Sequence, residues 1–304
     1  EPALDAGIKQ LGTYGGAGEP DHSLGFAREV LQRGERYGFD LTLVAQRWLG
    51  LDPDCIVLSA ALAAQTTTMH LMPAVHPGIM TPQVVAKMMS TLDRVSGGRA
   101  ALNIITGWFR QEFELFSNND YLEDESARYR RIDEYVQVLK GLWREPTFSF
   151  KGEFYSFENA SLPNRPTTLP YPPLYAASRH AMGKEIIARE CDFWFVPVQP
   201  GIDTYEDNFA TIAREVEHMQ RRAAVHGNAL GFAVSCYVVC EPTMERAMQR
   251  AHDMEALGKV DRIAMIAARG LGAGLIGTPE RIAQRLRRYE EIGVDTLMLH
   301  FHPM

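Results

Sequence analysis

The feature that most restricts this chain is an alternation. Apolar, partly β-branched runs of strand length recur along it, and stretches with apolar positions at helical spacing separate them. The strand-like runs are Phe39–Ala45, Met69–Val75, Arg99–Ile105, Leu174–Ala177, Asp192–Val198, Leu230–Cys240 and Thr296–Phe301. Helical stretches run from His22 to Tyr37, from Asp54 to Gln65, after Thr81-Pro82, and from about Glu125 to Trp143. Others begin near His180, span 204–226 and Thr243–Leu257, and open at Thr278-Pro279-Glu280. Their ends have local causes: Asp52 or Asp54 can cap the second, Pro82 suits a first turn, and Gly38 stops the first. Strands alternating with helices pair in parallel through right-handed crossovers. The class is α/β, a (β/α)8 TIM barrel fits best, and an open doubly wound sheet is the runner-up. Residues 1–304 are expected to form one such domain. The first strand is either the weak Gly7–Leu11 segment or lies before Glu1, and the final helix is expected beyond Met304. Phe148–Phe157 departs from the pattern: it alternates about Lys151-Gly152 and predicts a small excursion hairpin near 148–158.

Composition narrows the function. A net charge of −7 with no basic cluster argues against nucleic acid. No apolar run approaches the ~18 residues of a membrane span and no signal peptide opens at Glu1, so a cytoplasmic protein is expected. Cys55, Cys191, Cys236 and Cys240 sit in apolar runs and read as reduced core thiols, with Cys236 and Cys240 on one side of a strand. No His or Cys pair completes a zinc site, so no metal is expected.

In such a fold chemistry gathers at the carboxyl ends of the strands. The run Arg99–Ile105, entered through Ser96-Gly97-Gly98, opens into an irregular segment with Trp108, Arg110 and Glu112. Gln46-Arg47-Trp48 ends another strand. Ala176-Ala177-Ser178-Arg179 brings backbone N–H groups, a hydroxyl and a guanidinium to a helix start, which suits a phosphate; a serine cap beside a solvated arginine is the plainer reading. Arg128 and Tyr129 can reach the same anion, whereas Arg130 and Arg131 read as a solvated face. Gly270–Gly274 joins no strand to a helix, so a hinge suits it as well as a phosphate cradle. His70 and His76 flank a strand and read as structural more often than catalytic. His300 and His302 end the last strand, where His302, nearer the tip, is the better functional candidate.

The segment from Ser96-Gly97-Gly98-Arg99 through Asn103-Ile104-Ile105-Thr106-Gly107-Trp108-Phe109-Arg110-Gln111-Glu112 resembles the bacterial luciferase-like flavin monooxygenases. It is most similar to their reduced-flavin-dependent two-component subgroup, which includes dimethyl sulfone, alkanesulfonate and pyrimidine monooxygenases. Asp124–Arg131, Phe150–Tyr155, Pro172–Ser178, Gly277–Glu280 and Gly293–Thr296 match in the same order. The resemblance implies a TIM barrel that holds FMN, as FMNH2 from a separate NAD(P)H-dependent flavin reductase, and a homodimer or homotetramer. It implies that Gln46 and Arg47 border the isoalloxazine, that Asn103 and Thr106 lie against it with Glu112 near, and that Arg128, Tyr129, Ser178 and Arg179 hold its phosphate.

By the same resemblance O2 forms a flavin peroxide that oxygenates a small sulfone or sulfonate with C–S cleavage. Trp108 and Phe109 then form a dry wall, Arg269 stabilises the developing anion, and His302 or Tyr237 manages protons. The chain departs from the alkanesulfonate enzyme in three places: Asp52 stands at its cysteine, Ser235-Cys236-Tyr237 at its Arg-x-His, and His302 at its tyrosine. It is also shorter than the family between Lys259 and Arg269. Alternatives are the same chemistry on a pyrimidine-like amide or other heteroatom substrate, a deazaflavin hydride-transferring relative, or a non-catalytic flavin-binding protein.

Overall fold

The computed structural model describes residues 24–49, 53–107, 109–197, 204–257 and 275–301. Gly7–Leu11, Asp52, Trp108, Arg269, the Gly270–Gly274 run and His302 lie outside the described residues. The described residues fall into two compact units, one within His22–Asp192 and one from Phe193 onward.

The first unit runs α1 (Leu24–Arg36), β1 (Leu41–Val44), α2 (Cys55–Ala63), β2 (His70–Val75), α3 (Pro82–Ser96), β3 (Leu102–Ile104) and a short α4 (Arg110–Glu114). It continues with α5 (Glu125–Arg144), the hairpin strands β4 (Phe148–Lys151) and β5 (Ser156–Ala160), β6 (Leu174–Ala176) and α6 (Ala181–Glu190). β1, β2, β3 and β6 pair in parallel, with Val44 opposite Pro73, Ala74 opposite Asn103, and Ile104 opposite Ala176. β3 and β6 are buried throughout and β2 at every residue but His70. Strands covered on both faces read as apolar runs, and these do so in the sequence with Asn103 of β3 as the buried polar exception.

Carboxylates set the helix starts. Asp54, rather than Asp52, caps α2, accepting from the amides of Ile56 and Val57, and Asp124 caps α5 through the amide of Ala127. α3 opens on Pro82 and ends at Gly97, which takes the left-handed conformation (φ 72°) that a Cβ disfavours. The Ser96–Arg99 segment is structural. The Arg99 guanidinium and its Nε donate to the carbonyls of Ser96, Met69, Ala63 and Thr66 and to the Thr66 hydroxyl, tying α2 and α3 to the base of β2.

The excursion hairpin forms where expected, but not about a Lys151-Gly152 turn. Lys151 pairs with Ser156, so residues 152–155 make the loop. The Glu134 carboxylate of α5 accepts from the amides of Glu153, Phe154 and Tyr155 and fixes that longer loop. A turn dictated by a helix elsewhere in the chain leaves no local pattern.

The second unit runs β7 (Phe193–Val196), α7 (Tyr205–Val225), β8 (Gly231–Cys240), α8 (Met244–Leu257), β9 (Ile276–Gly277), α9 (Pro279–Glu291) and β10 (Thr296–Phe301). β8 pairs in parallel with β7 and β10, and its last two residues pair with β9. The two-residue β9 is too short to show a period in the sequence. Cys55, Cys191 and Cys236 are buried free thiols, but Cys240, the last residue of β8, is exposed: its apolar run ends with the strand that covers it. No described helix is long and apolar enough to cross a membrane.

Candidate functional site

The strand ends of the first unit converge on a buried ion pair. Two residues past β1, Gln46 turns inward and its Oε1 accepts from the Cys55 amide (2.8 Å), leaving its NH2 for other partners. Arg47 Nε donates to Glu112 Oε1 (2.8 Å), which also accepts from the Trp48 amide (3.1 Å). Glu112 is 2% exposed, and Arg47 also lies over the Phe109 ring (5.2 Å). Glu112 belongs to α4, which the chain can fold back because Gly107 adopts φ 87°. A Cβ there would stand 2.3 Å from Phe113 Cζ, so only glycine admits that ring. Phe113 stacks on Tyr121 (4.9 Å) and meets the edge of His76 (6.0 Å). Burial pushes the His76 pKa down to about 4, with Glu112 opposing and Arg47 adding to the shift.

A second cluster lies at the head of α6. Tyr129, buried on α5, shares a 3.0 Å hydrogen bond with Ser178 Oγ, and Ser178 Oγ accepts from the His180 amide (3.1 Å). His180, not Ser178, caps the helix: its Nδ1 accepts from the Met182 amide, and its ring stacks on Tyr129 (4.8 Å). Gly183 admits this arrangement, since a Cβ there would lie 2.1 Å from Ser178 Oγ. Arg128 reaches over the Tyr129 ring (5.5 Å), bonds the Leu122 carbonyl and meets Glu125, which also approaches His180. An incoming anion would therefore compete with the exposed Glu125 for two cationic or donating groups. Arg179 is exposed at the same loop. Arg130 faces solvent as expected, paired with Glu153, while Arg131 is half-buried and covers the Phe154 ring.

A small cavity lies beside the second cluster. Thr106, Tyr129, Ser178 and Gly183 line it together with Ile104, Ile132 and Ile186. Asn103, one residue before Ile104, is 3% exposed, and its Oδ1 has no hydrogen-bond partner. Buried polar atoms are rarely left so, and this one fits a ligand with an N–H to offer. Together the first-unit groups fit an anion at a helix start beside a flat, partly polar ring.

Of the residues expected from the sequence, Gln46, Arg47, Asn103, Thr106, Glu112, Arg128, Tyr129, Ser178 and Arg179 all fall in this unit, at strand ends or helix starts. Trp108, Arg269 and His302 lie outside the described residues. Tyr237 belongs to the second unit, where its ring stacks on His300 (4.8 Å) and Ser235 Oγ shares a 2.7 Å hydrogen bond with His300 Nε2. His70 is exposed and held by the Asp40 carbonyl. Sequence reasoning missed the roles of His180 and Gly183, and it named His76 but read it as structural more often than catalytic. A glycine within the first turn of a helix was the one available signal.

The family described as luciferase-like monooxygenase matches residues 7–296. The FMNH2-dependent dimethylsulfone monooxygenase of Pseudomonas putida is 30% identical over 314 residues, covering 91% of this chain and 83% of that protein. Among solved structures, EDTA monooxygenase from Chelativorans sp. BNC1 superposes with a TM-score of 0.78 at 14% identity, over 93% of this chain and 83% of its own. Coenzyme F420-dependent tetrahydromethanopterin reductase from Methanopyrus kandleri superposes at 0.72 and 15% identity, over 93% and 91%. These likenesses carry the fold, the parallel α/β arrangement of luciferase-like TIM barrels.

Proposed function

The chain belongs to the luciferase-like monooxygenase family and is a flavin-dependent enzyme of that kind, and from that premise we propose that it uses reduced FMN, delivered by a separate flavin reductase, to oxygenate a small organosulfur compound. A sulfone is favoured over a sulfonate. The observation that carries the cofactor is the Tyr129–Ser178 hydroxyl pair at the head of α6, with Arg128 and Arg179 beside it. Two hydroxyls, helix N–H groups and two guanidiniums suit a phosphate dianion.

When bound, reduced FMN would supply the two electrons with which O2 is divided between product and water. The chain's own groups do the rest. Asn103 Oδ1 would accept from a ring N–H, Thr106 would lie against the ring, and the Gln46 amide would border it. The Arg47–Glu112 pair braces the β1 and β3 ends. Phe109, with Trp108, keeps water from the reacting centre. Tyr237 or His302 would hold or pass a proton, and Arg269 would steady the anion that forms as the C–S bond breaks. The sulfone preference is supported by the 30% identical relative. It is further supported by Ser235 and Tyr237, neutral groups on β8 where a sulfonate-binding pair would want cations.

The test is a reductase-coupled assay with NADH, FMN and O2 on dimethyl sulfone, methanesulfonate and uracil. Oxygen-dependent sulfinate from dimethyl sulfone is expected. Product from uracil alone would reassign the substrate, and FMN binding with no product from any compound would make the protein a flavin carrier.

A further inference from the structure

Two buried polar atoms without a hydrogen-bond partner stand on neighbouring strand ends of the first unit: Asn103 Oδ1 on β3 and His76 Nδ1, one residue past β2. The register pairs Ala74 with Asn103, and alternation along β2 puts His76 on the face of Ala74. Both side chains therefore belong to one face of the sheet at its carboxyl end. His76 is 5% exposed, held edge-on by Phe113. If packing against Phe113 were its whole role, an aromatic hydrocarbon would serve without stranding a nitrogen in the interior.

We propose that His76 is a ligand-contacting residue of this site, whose Nδ1 acts with Asn103 Oδ1 as a two-point hydrogen-bonding grip on the polar edge of the flat ring. The inference rests on the flavin reading above and extends it to a residue that reading does not use. An isoalloxazine carries N–H and C=O groups side by side. Asn103 Oδ1, an acceptor, takes the N–H, and a neutral imidazole protonated on Nδ1 donates to the adjoining carbonyl. The groups facing His76 are the Arg47 guanidinium and the Glu112 carboxylate, already paired with each other, so the imidazole need not be charged to sit there.

The test is titration with FMN and with photoreduced FMN under nitrogen, followed by flavin fluorescence and the visible spectrum of the bound state. His76→Leu keeps bulk and loses the nitrogen. It should weaken binding about tenfold or more, the order of one buried hydrogen bond, and change the spectrum at saturation. His76→Asn, whose amide lies where Nδ1 was, should bind within about threefold of the wild type, and His76→Gln, which mimics Nε2, should not. Wild-type binding with an unaltered His76→Leu affinity and spectrum overturns the inference and leaves the flavin reading standing. A wild-type protein that binds FMN in neither state overturns both. Should His76→Leu fail to fold, Asn and Gln variants of equal melting temperature decide it: equal affinities overturn the inference.

Discussion

His76 makes the folded protein sensitive to acid in a defined window. Its folded pKa, lowered to about 4 by burial, lies below the ordinary value of ~6.5, so the unfolded chain takes up the proton first as pH falls. The stability of the neutral, buried ring is fully present above pH ~6.5 and declines between there and about pH 4, by up to about 3 kcal/mol. Urea denaturation at pH 7 and pH 5 should show that loss in the wild type and less of it in His76→Asn; parallel losses would contradict the burial argument. Ser178 offers a second residue-scale prediction. Ser178→Ala removes one hydroxyl of the anion cluster and strands Tyr129 OH, so FMN affinity in the titration should fall about tenfold, and adding Tyr129→Phe should cost less than a second factor of that size. Tyr129, Ser178 and Arg128 were legible because hydroxyls and guanidiniums at strand ends and helix starts mean something locally. The Arg47–Glu112 pair joins residues 65 apart, and burial of His76 is a property of the folded sheet, so neither left a trace in one sequence.

At the scale of elements, helices bring the anion cluster together. The first turn of α6 approaches Ser178 and Tyr129 so closely that Gly183→Ala must push one of them aside. Helix propensity would favour the alanine by up to about 1 kcal/mol, so a melting temperature that is unchanged or lower, with FMN affinity reduced about tenfold, would show that the close approach outweighs it. A variant that binds FMN as the wild type does would show that the cluster tolerates displacement. Element starts were readable from their caps: Asp54, Asp124 and Thr278 each accept from an amide of the following first turn. The loop of the β4–β5 hairpin was not, because Glu134 on α5 decides its length.

At the scale of the whole molecule, the alternation of apolar runs with helical stretches was enough to read the α/β parallel fold. All seven strands read from the sequence form, at β1, β2, β3, β6, β7, β8 and β10. What the alternation does not contain is chemistry, which came from short motifs at the strand ends. Arg269 tests the chemical part separately from the binding part: Arg269→Ala should abolish oxygenated product in the coupled assay while FMN affinity stays within about twofold. Unchanged turnover would remove Arg269 from the reaction. The central claim, that the strand ends of the first unit hold the flavin, is tested most directly by a crystal structure grown with FMN. The account predicts the phosphate within hydrogen-bond reach of Ser178 Oγ and Tyr129 OH and the ring edge against Asn103 Oδ1. A phosphate bound away from the head of α6, or no FMN at millimolar concentration, would contradict it.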